Sequence, residues 1–302
     1  MKYIKPKKYY RLTKEWLYEF FWYYLLPDVW YLKYRYRKAF GIALDLKNPQ
    51  KFTEKIQWLK LHDRNPLYHQ LVDKFEVKGI VGKLIGEEHI VKTLGIWDTY
   101  DKIDVDSLPN QFVLKCTHDS ASVTICKNKF EFDKKAHAWK YNDIFMKKDY
   151  YHYENKQWAY KGVKPRIIAE EYLQDDKYDS LVDYKFYCFN CKAKILLLAA
   201  NRFTDLQYSW YDLEGNRLPF SIDNSFRKSE IDLPKNYDKM IALANTIAEY
   251  VNSPYVRVDF YEVKGKIYFG EITFYPDGGI MYFNPTKWDY ILGSWLKLPI
   301  DK

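Results

Sequence analysis

The chain has 302 residues, of which 47% are hydrophobic, and a formal net charge of +8. This length and apolar content are sufficient for a packed core, and they exclude a disordered protein. They fit one large catalytic unit or two ordinary domains.

The first forty residues hold most of the charge excess. Ten Lys or Arg residues against three acids give this segment a net charge of +7, and aromatic residues such as Trp16, Trp22 and Trp30 lie between the basic runs. Its longest uncharged apolar run, residues 20–26, is far shorter than the ~20 residues of a membrane-spanning helix. A basic aromatic helix with a break at Pro27 predicts a segment that lies on an anionic membrane surface. The alternatives are a helical extension packed on the body and a nucleic-acid surface, and we predict no nucleic-acid partner.

An amphipathic helix is predicted directly after Asp73 and Lys74. Apolar residues follow the i, i+3, i+4, i+7, i+8 spacing of one helix face, at Val77, Ile80, Val81, Leu84 and Ile85. Lys74 is therefore expected near the start of this helix.

A strand, a loop of small polar residues and a second strand are predicted between residues 112 and 125. The first strand ends at Lys115, and the loop contains Ser120 and Ser122. Small residues let backbone N–H groups approach phosphate oxygens, and serine hydroxyls add donors. An ordinary hairpin turn is the alternative interpretation.

Residues 130–164 are rich in lysine and aromatic side chains. The aromatic residues are Trp139, Tyr150, Tyr151, Tyr153, Trp158 and Tyr160, among others. Aromatic rings pack against sugar faces and lysines attract carboxylates, so this segment is a candidate for part of an acceptor-sugar site. Aromatic core packing is the alternative.

Two further strands carry charged residues. One ends in Glu170 and Glu171 and leads through Leu173 into a hinge. In the next, period-2 alternation places Asp183, Lys185 and Tyr187 on one face. Lys185 is either a functional cation, with Arg202 as a second one, or a solvated lysine on an edge strand.

The most informative pattern is a predicted hairpin of residues 255–261 and 266–273. Such a hairpin brings Asp259 and Glu271 onto neighbouring strands, with Arg257 two residues before the first acid. Two converging carboxylates form an oxygen-ligand site suited to Mg²⁺ with nucleotide phosphates. The alternative is a pair of strand-edge acids that face water.

These motifs, in this order, resemble ATP-grasp proteins. Residues 257–279 (RVDFYEVKGKIYFGEITFYPDGG) are similar to the metal-binding end of that fold, as laid out in D-alanine–D-alanine ligase and related carboxylate–amine ligases. The nearest specific resemblance is to TupA-like ATP-grasp proteins of bacterial cell-surface polysaccharide clusters. It covers roughly residues 46–300 and is carried by residues 48–60, 72–74 with 94–97, 164–173, 183–187 and 270–276.

The resemblance implies roles for individual residues. Asp259 and Glu271 would bind Mg²⁺, two ions being expected, Thr273 would stand in for the family's usual asparagine, and Arg257 would stabilise the oxyanion of the tetrahedral intermediate. The implied ATP-binding residues are Lys74, Lys115, Ser120, Ser122, Glu170, Glu171, Leu173 and Lys185. The family's phosphate loop tends to carry glycines, which residues 118–122 lack.

The implied fold class is α+β, with two α+β lobes that grip ATP. Residues 1–45 would form the basic aromatic helical extension, residues 46–110 a pre-ATP-grasp region, and residues 111–302 the catalytic region with a hinge near 170–174.

The implied activity is that of an ATP- and Mg²⁺-dependent carboxylate–amine ligase that acts through an acyl phosphate. Its partners would be a glycan or small-molecule carboxylate and an amine, with an amino acid attached to a uronic-acid-containing cell-surface polysaccharide or its precursor. The alternatives are a kinase or phosphotransferase acting on a glycan hydroxyl, and a glycosyltransferase or glycan-binding protein of a polysaccharide cluster.

Cysteine usage and location complete the predictions. Cys188-x-x-Cys191 has no second pair at zinc-ribbon spacing, so neither a metal nor a disulfide is predicted. No secretory signal precedes the cysteines, which favours a cytoplasmic protein, peripheral at the inner membrane face if the basic segment binds lipid.

Overall fold

A computed structural model describes residues 21–120, 122–175, 177–222 and 231–299 of the chain, with the side chains of residues 22 and 23 excepted. Residues 1–20 hold six of the ten basic residues of the N-terminal segment. The first half of the predicted surface-binding segment therefore lies outside the described residues.

The described helices and strands alternate irregularly along the chain. The α-helices are α1 (Asp28–Phe40), α2 (Phe52–His62), α3 (Leu67–Val72), α4 (Glu76–Ile85), α5 (Lys134–Trp139), α6 (Tyr150–Tyr153), α7 (Tyr237–Val251) and α8 (Lys287–Trp295). Short π-helical segments cover Phe21–Leu25 and Lys140–Phe145, and 3₁₀ turns cover Glu87–His89, Tyr100–Lys102, Lys129–Glu131, Trp158–Tyr160 and Pro276–Gly279. The strands are β1 (Thr93–Trp97), β2 (Phe112–Cys116), β3 (Thr124–Cys126), β4 (Ile167–Glu171), β5 (Asp183–Phe189), β6 (Lys192–Ala200), β7 (Gln207–Asp212), β8 (Tyr255–Val263) and β9 (Lys266–Thr273).

Two antiparallel sheets form the framework. The first has the order β1-β4-β2-β3 and the second the order β7-β6-β5-β8-β9. Antiparallel sheets combined with separate helices define an α+β protein, as predicted. The predicted boundary at residue 110 falls between β1 and β2, which are both strands of the first sheet, and the three-region division stays a prediction.

The second sheet is backed by helix α7. This helix buries an apolar stripe at helical spacing, including Met240, Ala244, Ile247 and Val251, against β5, β6 and β8. Every residue of β5 is buried, because the strand lies in the middle of the sheet. The main hydrophobic core therefore lies beneath the strands that carry Lys185 and Asp259.

The predicted helix after Lys74 is confirmed as α4. Val77 and Val81 are buried, as the apolar spacing requires. The backbone N–H of Lys74 donates to the carbonyl of Thr117, 3.0 Å away, so the start of α4 is tied to the end of β2.

Helix α1 packs on the body through one face. Tyr31, Leu32 and Tyr36 are buried with Leu44 in a small cluster of their own. Arg35 Nε also donates to Asn155 Oδ1 at 3.0 Å. The described half of the N-terminal segment is thus a packed extension, and its opposite face remains exposed.

Cys116, Cys126 and Cys188 are buried free thiols, and Cys191 is a half-buried one. Among the described residues, no helix has both the length and the apolar character needed to cross a bilayer.

Helices α2 and α8 cross at close range, and this contact generates a stability prediction. A Cβ at Gly293 of α8 would lie 2.1 Å from the carbonyl oxygen of Gln50 and 2.8 Å from the backbone nitrogen of Phe52. Gly293→Ala should therefore cost about 1–3 kcal/mol of folding free energy, because backbone atoms must move. Urea denaturation measures this cost.

Gly79 provides the matched control. It is also a helical glycine, and a Cβ there meets nothing within 4 Å. Gly79→Ala should stabilise the protein by up to about 1 kcal/mol through helix propensity. Equal effects of the two substitutions would contradict the described α2–α8 contact.

Candidate active site

Three charged residues lie in register across the second sheet. Lys185 of β5 pairs with Asp259 of β8, and Asp259 pairs with Glu271 of β9. The predicted hairpin is confirmed, and its two acids are neighbours. Lys185 lies on a central strand and is buried, so the interpretation as a solvated edge lysine is wrong.

A β-bulge at Gly270 makes the carboxylates converge. Between the turn and the pair Phe260–Phe269, the hairpin has regular register. Beyond that pair, β9 has one extra residue, Gly270, so that Asp259 faces Glu271. Without the shift, Asp259 would face Gly270 and Glu271 would point to the opposite side of the sheet. Glycine suits this position because a Cβ would lie 3.1 Å from the carbonyl oxygen of Asp259.

Arg257 joins both carboxylates. Its Nε and Nη2 donate to the two oxygens of Asp259 at 2.7 Å each, and Nη2 also donates to Glu271 Oε1 at 2.9 Å. Lys185 Nζ donates to Asp259 Oδ2 at 2.7 Å. The Asp259 side chain is only 1% exposed, whereas that of Glu271 is 34% exposed. The interpretation of both acids as water-facing is therefore wrong for Asp259, and Glu271 is the more accessible of the two.

Further cations surround this row. Arg202 Nη2 donates to buried Asp183 at 2.5 Å, and Asp183 also accepts from Lys185 at 3.2 Å. Burial raises the pKa of Glu271, but the charges of Arg257, Lys185, Lys74 and Arg202 together lower it to about 2. We call the seven residues of this set the central charge cluster: Lys74, Asp183, Lys185, Arg202, Arg257, Asp259 and Glu271. Four cations against three carboxylates leave it one positive charge, which suits an anionic ligand.

Lys115 lies in a second charged group on the first sheet. It forms an ion pair with Glu170 of β4, and Glu170 also pairs with Lys78 of α4 at 2.5 Å. Burial alone raises the pKa of Glu170, but Lys115 and Lys78 lower it overall. The predicted adenine-side acid Glu170 is thus buried and holds two lysines in place.

The loop after β2 is tightly hydrogen-bonded. Ser122 is buried, accepts from the backbone N–H of Cys116 at 2.7 Å and donates to Asp119 Oδ1 at 2.6 Å. Its hydroxyl therefore serves the loop itself. Ser120 is exposed and bonds Tyr150 OH at 2.5 Å, and Lys74 Nζ contacts the carbonyl of Asp119. ATP-binding roles for both serines stay predictions.

The hinge residues follow β4. Glu171 is exposed, and its N–H donates to the carbonyl of Lys92 at 3.0 Å, while Leu173 is half-buried. Nearby, a cavity of about 460 Å³ has Lys78, Lys92 and Thr93 in its wall. Adenine binding by the hinge stays a prediction.

The donor chemistry at β8 and β9 fits Mg²⁺. Among the described residues no group of three or more His, Cys, Asp or Glu side chains is arranged to hold a metal. Mg²⁺ in nucleotide sites, however, uses one or two carboxylates together with phosphate oxygens and water. Asp259 and Glu271 supply such a pair, and the Thr273 hydroxyl lies 3.4 Å from Glu271 Oε1.

The aromatic segment divides into two groups. Tyr150 and Tyr160 pack with ring centroids 4.5 Å apart, and burial raises the pKa of both hydroxyls. Tyr150 bonds Ser120 in the loop whose Asp119 carbonyl contacts Lys74 of the central charge cluster. Tyr151 is buried and bonds Asp28, whereas Trp139 is exposed.

Sequence reasoning missed Lys78 and the role of Gly270. Lys78 lies in the first turn of α4, and no spacing in the sequence indicates its pairing with Glu170. An isolated glycine within a predicted strand is a signal for a bulge.

Comparison with known proteins identifies the class and then the family. The model of the TupA-like ATP-grasp family matches residues 54–297, which is most of the chain. The fold is therefore an ATP-grasp fold. The chain belongs to the TupA-like ATP-grasp family. A comparison with curated proteins gives no match.

Solved structures that match this chain include two D-alanine–D-alanine ligases and a ribonucleotide synthetase. D-alanine–D-alanine ligase from Bacillus anthracis in complex with ATP has a TM-score of 0.36 and 14% identity, covering 68% of this chain and 53% of that one. The same ligase from Helicobacter pylori has a TM-score of 0.43 and 12% identity, covering 83% and 67%. The ADP complex of purK, N5-carboxyaminoimidazole ribonucleotide synthetase, has a TM-score of 0.43 and 14% identity, covering 73% and 50%. The chain thus spans about half to two thirds of these proteins.

The lowered pKa of Glu271 generates a prediction for stability in acid. A native-state pKa of about 2, below the ordinary 4.5, means that ionised Glu271 stabilises the fold at neutral pH. This contribution is lost as the pH falls through the window between those two values. The stability advantage of the wild type over Glu271→Gln, measured by urea denaturation, should therefore shrink between about pH 5 and pH 2.

Exposed Glu214 is the control. The difference in unfolding free energy between wild type and Glu214→Gln should not change with pH over the same range. If the difference in unfolding free energy between wild type and Glu271→Gln is also independent of pH, the cations do not act on this carboxylate.

Proposed function

We propose that this protein is an ATP- and Mg²⁺-dependent carboxylate–amine ligase that works through an acyl phosphate. The observation that carries the proposal is Arg257, whose guanidinium lies against both Asp259 and Glu271. An arginine fixed at the metal-ligand carboxylates is placed to stabilise charge on a reacting carboxyl group.

The reaction divides among the described residues. Lys185, Lys74 and Lys115 neutralise the triphosphate, while the carboxylate oxygen of the donor attacks the γ-phosphorus and ADP leaves. The amine nitrogen then attacks the acyl carbon, phosphate leaves, and the amine loses a proton. Arg257 stabilises the oxyanion of the tetrahedral intermediate. No side-chain nucleophile is required.

Mg²⁺ would be held by Asp259 and Glu271, with Thr273 as a neutral oxygen for a second ion. When bound, it supplies Lewis-acid charge neutralisation at the phosphates. Lys185 is available as a partner for phosphate because nearby acids keep it charged: burial lowers its pKa, but Asp183 and Asp259 raise it overall.

The substrate assignment rests on the TupA-like family resemblance and on the aromatic segment. Trp139 and Tyr153, exposed aromatic residues of that segment, offer faces to a sugar ring, and the lysine-rich residues around them favour an anionic one. We infer an amino acid as the amine and a uronic-acid-containing cell-surface polysaccharide, or its precursor, as the carboxylate. A kinase acting on a glycan hydroxyl would use the same nucleotide site. Its reaction forms no tetrahedral acyl intermediate, so it would not use Arg257 to stabilise an oxyanion.

An ADP-release screen with uronic acids and amino acids tests the ligase. Wild type should release ADP only with both substrates and Mg²⁺, and hydroxylamine should trap a hydroxamate from the acyl phosphate. Glu271→Gln should lower kcat by about 10²–10³-fold, because it removes a metal-ligand charge.

Glu262→Gln is the matched control, since Glu262 lies on the same hairpin and bonds Asn236, away from the cluster. It should retain activity. ADP release without hydroxamate would instead identify a kinase, and full activity of Glu271→Gln would refute the metal assignment.

We further propose that helix α1 places the enzyme on an anionic membrane surface. Trp30 of α1 is 66% exposed and Leu25, just before the helix, 61%, and the exposed basic residues Lys33, Arg37 and Lys38 lie outside the buried stripe of α1. Apolar side chains rimmed by cations match the chemistry of an anionic interface. The enzyme would then act at the inner face of the cell membrane on a lipid-linked precursor.

Liposome sedimentation tests this surface. Trp30→Ala combined with Lys33→Glu and Lys38→Glu should reduce binding to phosphatidylglycerol-containing liposomes at least tenfold, since each basic residue near the surface contributes ~1 kcal/mol. These residues are exposed, so the substitutions leave the buried contacts of α1 intact. Lys192→Glu, at an exposed lysine of β6 outside the N-terminal segment, is the charge control. Equal binding by the triple variant and the control would contradict the proposal.

A further inference from the structure

The loop between β2 and β3 is fastened to the segment that follows it. His118 Nε2 donates to the carbonyl of Phe145 at 3.1 Å, and Tyr141 OH donates to the carbonyl of Ser122 at 3.1 Å. The third connection is the 2.5 Å hydrogen bond between Ser120 Oγ and Tyr150 OH. Three separate contacts, made by His118, Ser120 and Ser122, thus hold the loop against residues 141–150.

Ser120 differs from its neighbours in the loop. His118, Asp119 and Ser122 are buried, and the hydroxyl of Ser122 is bonded within the loop. Ser120 is exposed, so its hydroxyl is presented on the loop surface. Its orientation is fixed by Tyr150.

Tyr150 is itself held rigidly. It is 7% exposed, packs against Tyr160, and has the ammonium group of Lys148 5.2 Å from its ring centroid. Burial raises the pKa of its hydroxyl, so the group stays a neutral phenol. Lys74 Nζ contacts the carbonyl of Asp119, the residue before Ser120, so the loop that Tyr150 holds touches the central charge cluster.

We propose that Tyr150 is a positioning residue that orients Ser120 toward the nucleotide phosphates. A loop without glycine cannot adapt its backbone freely to a phosphate, so the position of its exposed hydroxyl has to be set in advance. The inserted aromatic segment supplies that constraint through one phenol. This inference rests on the proposed nucleotide site, and it adds a nucleotide-binding role for the segment otherwise assigned to the sugar.

A double-mutant cycle on nucleotide affinity tests the inference. Affinity for AMP-PNP with Mg²⁺ is measured calorimetrically for wild type, Ser120→Ala, Tyr150→Phe and the double variant. Each single substitution should weaken binding roughly tenfold, the loss of one hydrogen bond to a charged group. The double variant should be no weaker than Ser120→Ala, because Tyr150 acts only through Ser120.

Two measurements separate positioning from general damage. AMP, which lacks the β- and γ-phosphates, should bind all variants equally, and Ser120→Thr, which keeps a hydroxyl, should bind AMP-PNP within about twofold of wild type. Tyr250→Phe, an exposed tyrosine on α7, is the control for loss of a phenol.

The possible results have distinct meanings. Additive losses, or unchanged affinity in Tyr150→Phe, would overturn the role of Tyr150 while leaving the nucleotide site intact. Failure of the wild type to bind AMP-PNP at all would overturn the proposed function itself. Because Ser120 is exposed, Ser120→Ala and Ser120→Thr remain informative if Tyr150→Phe does not fold.

Discussion

The second sheet is organised around one buried carboxylate, that of Asp259. Arg257 and Lys185 contact it from two sides at 2.7 Å, and almost none of the side chain reaches solvent. An unpaired charge at such depth costs several kcal/mol, so the two cations are conditions for the fold as well as parts of the site. Their positions follow from strand geometry, since Arg257 is two residues away on the same face and Lys185 is the cross-strand partner.

The same contacts neutralise the carboxylates of the central charge cluster. Arg257 and Lys185 bond Asp259, and Arg257 also bonds Glu271. In the proposed reaction, Mg²⁺ would compete with these cations for the carboxylates, and the nucleotide phosphates would compete with the carboxylates for the cations.

Much of the architecture could be predicted because it is local. Helical spacing identified α4, and period-2 alternation identified β5 and the β8–β9 hairpin. What alternation could not provide was register: in a regular hairpin Glu271 would point away from Asp259, and only the bulge at Gly270 corrects this. The partners of Glu170 and Ser120 were also beyond prediction, because Lys78 and Tyr150 reach them through tertiary contacts. The burial of Lys185 was also beyond prediction, because it follows from the central place of β5 in the strand order.

Strand β1 has an implication for how the chain can be divided. It comes from the region before residue 110, yet it forms the outer strand of the first sheet by pairing with β4 along Ile167–Glu170. A fragment starting at residue 111 would leave the hydrogen-bonding edge of β4 open to water and to other chains. Open edges of this kind recruit further strands and promote aggregation. The residues before position 111 are thus, in physical terms, part of the first sheet, and they cover the hydrogen-bonding edge of β4.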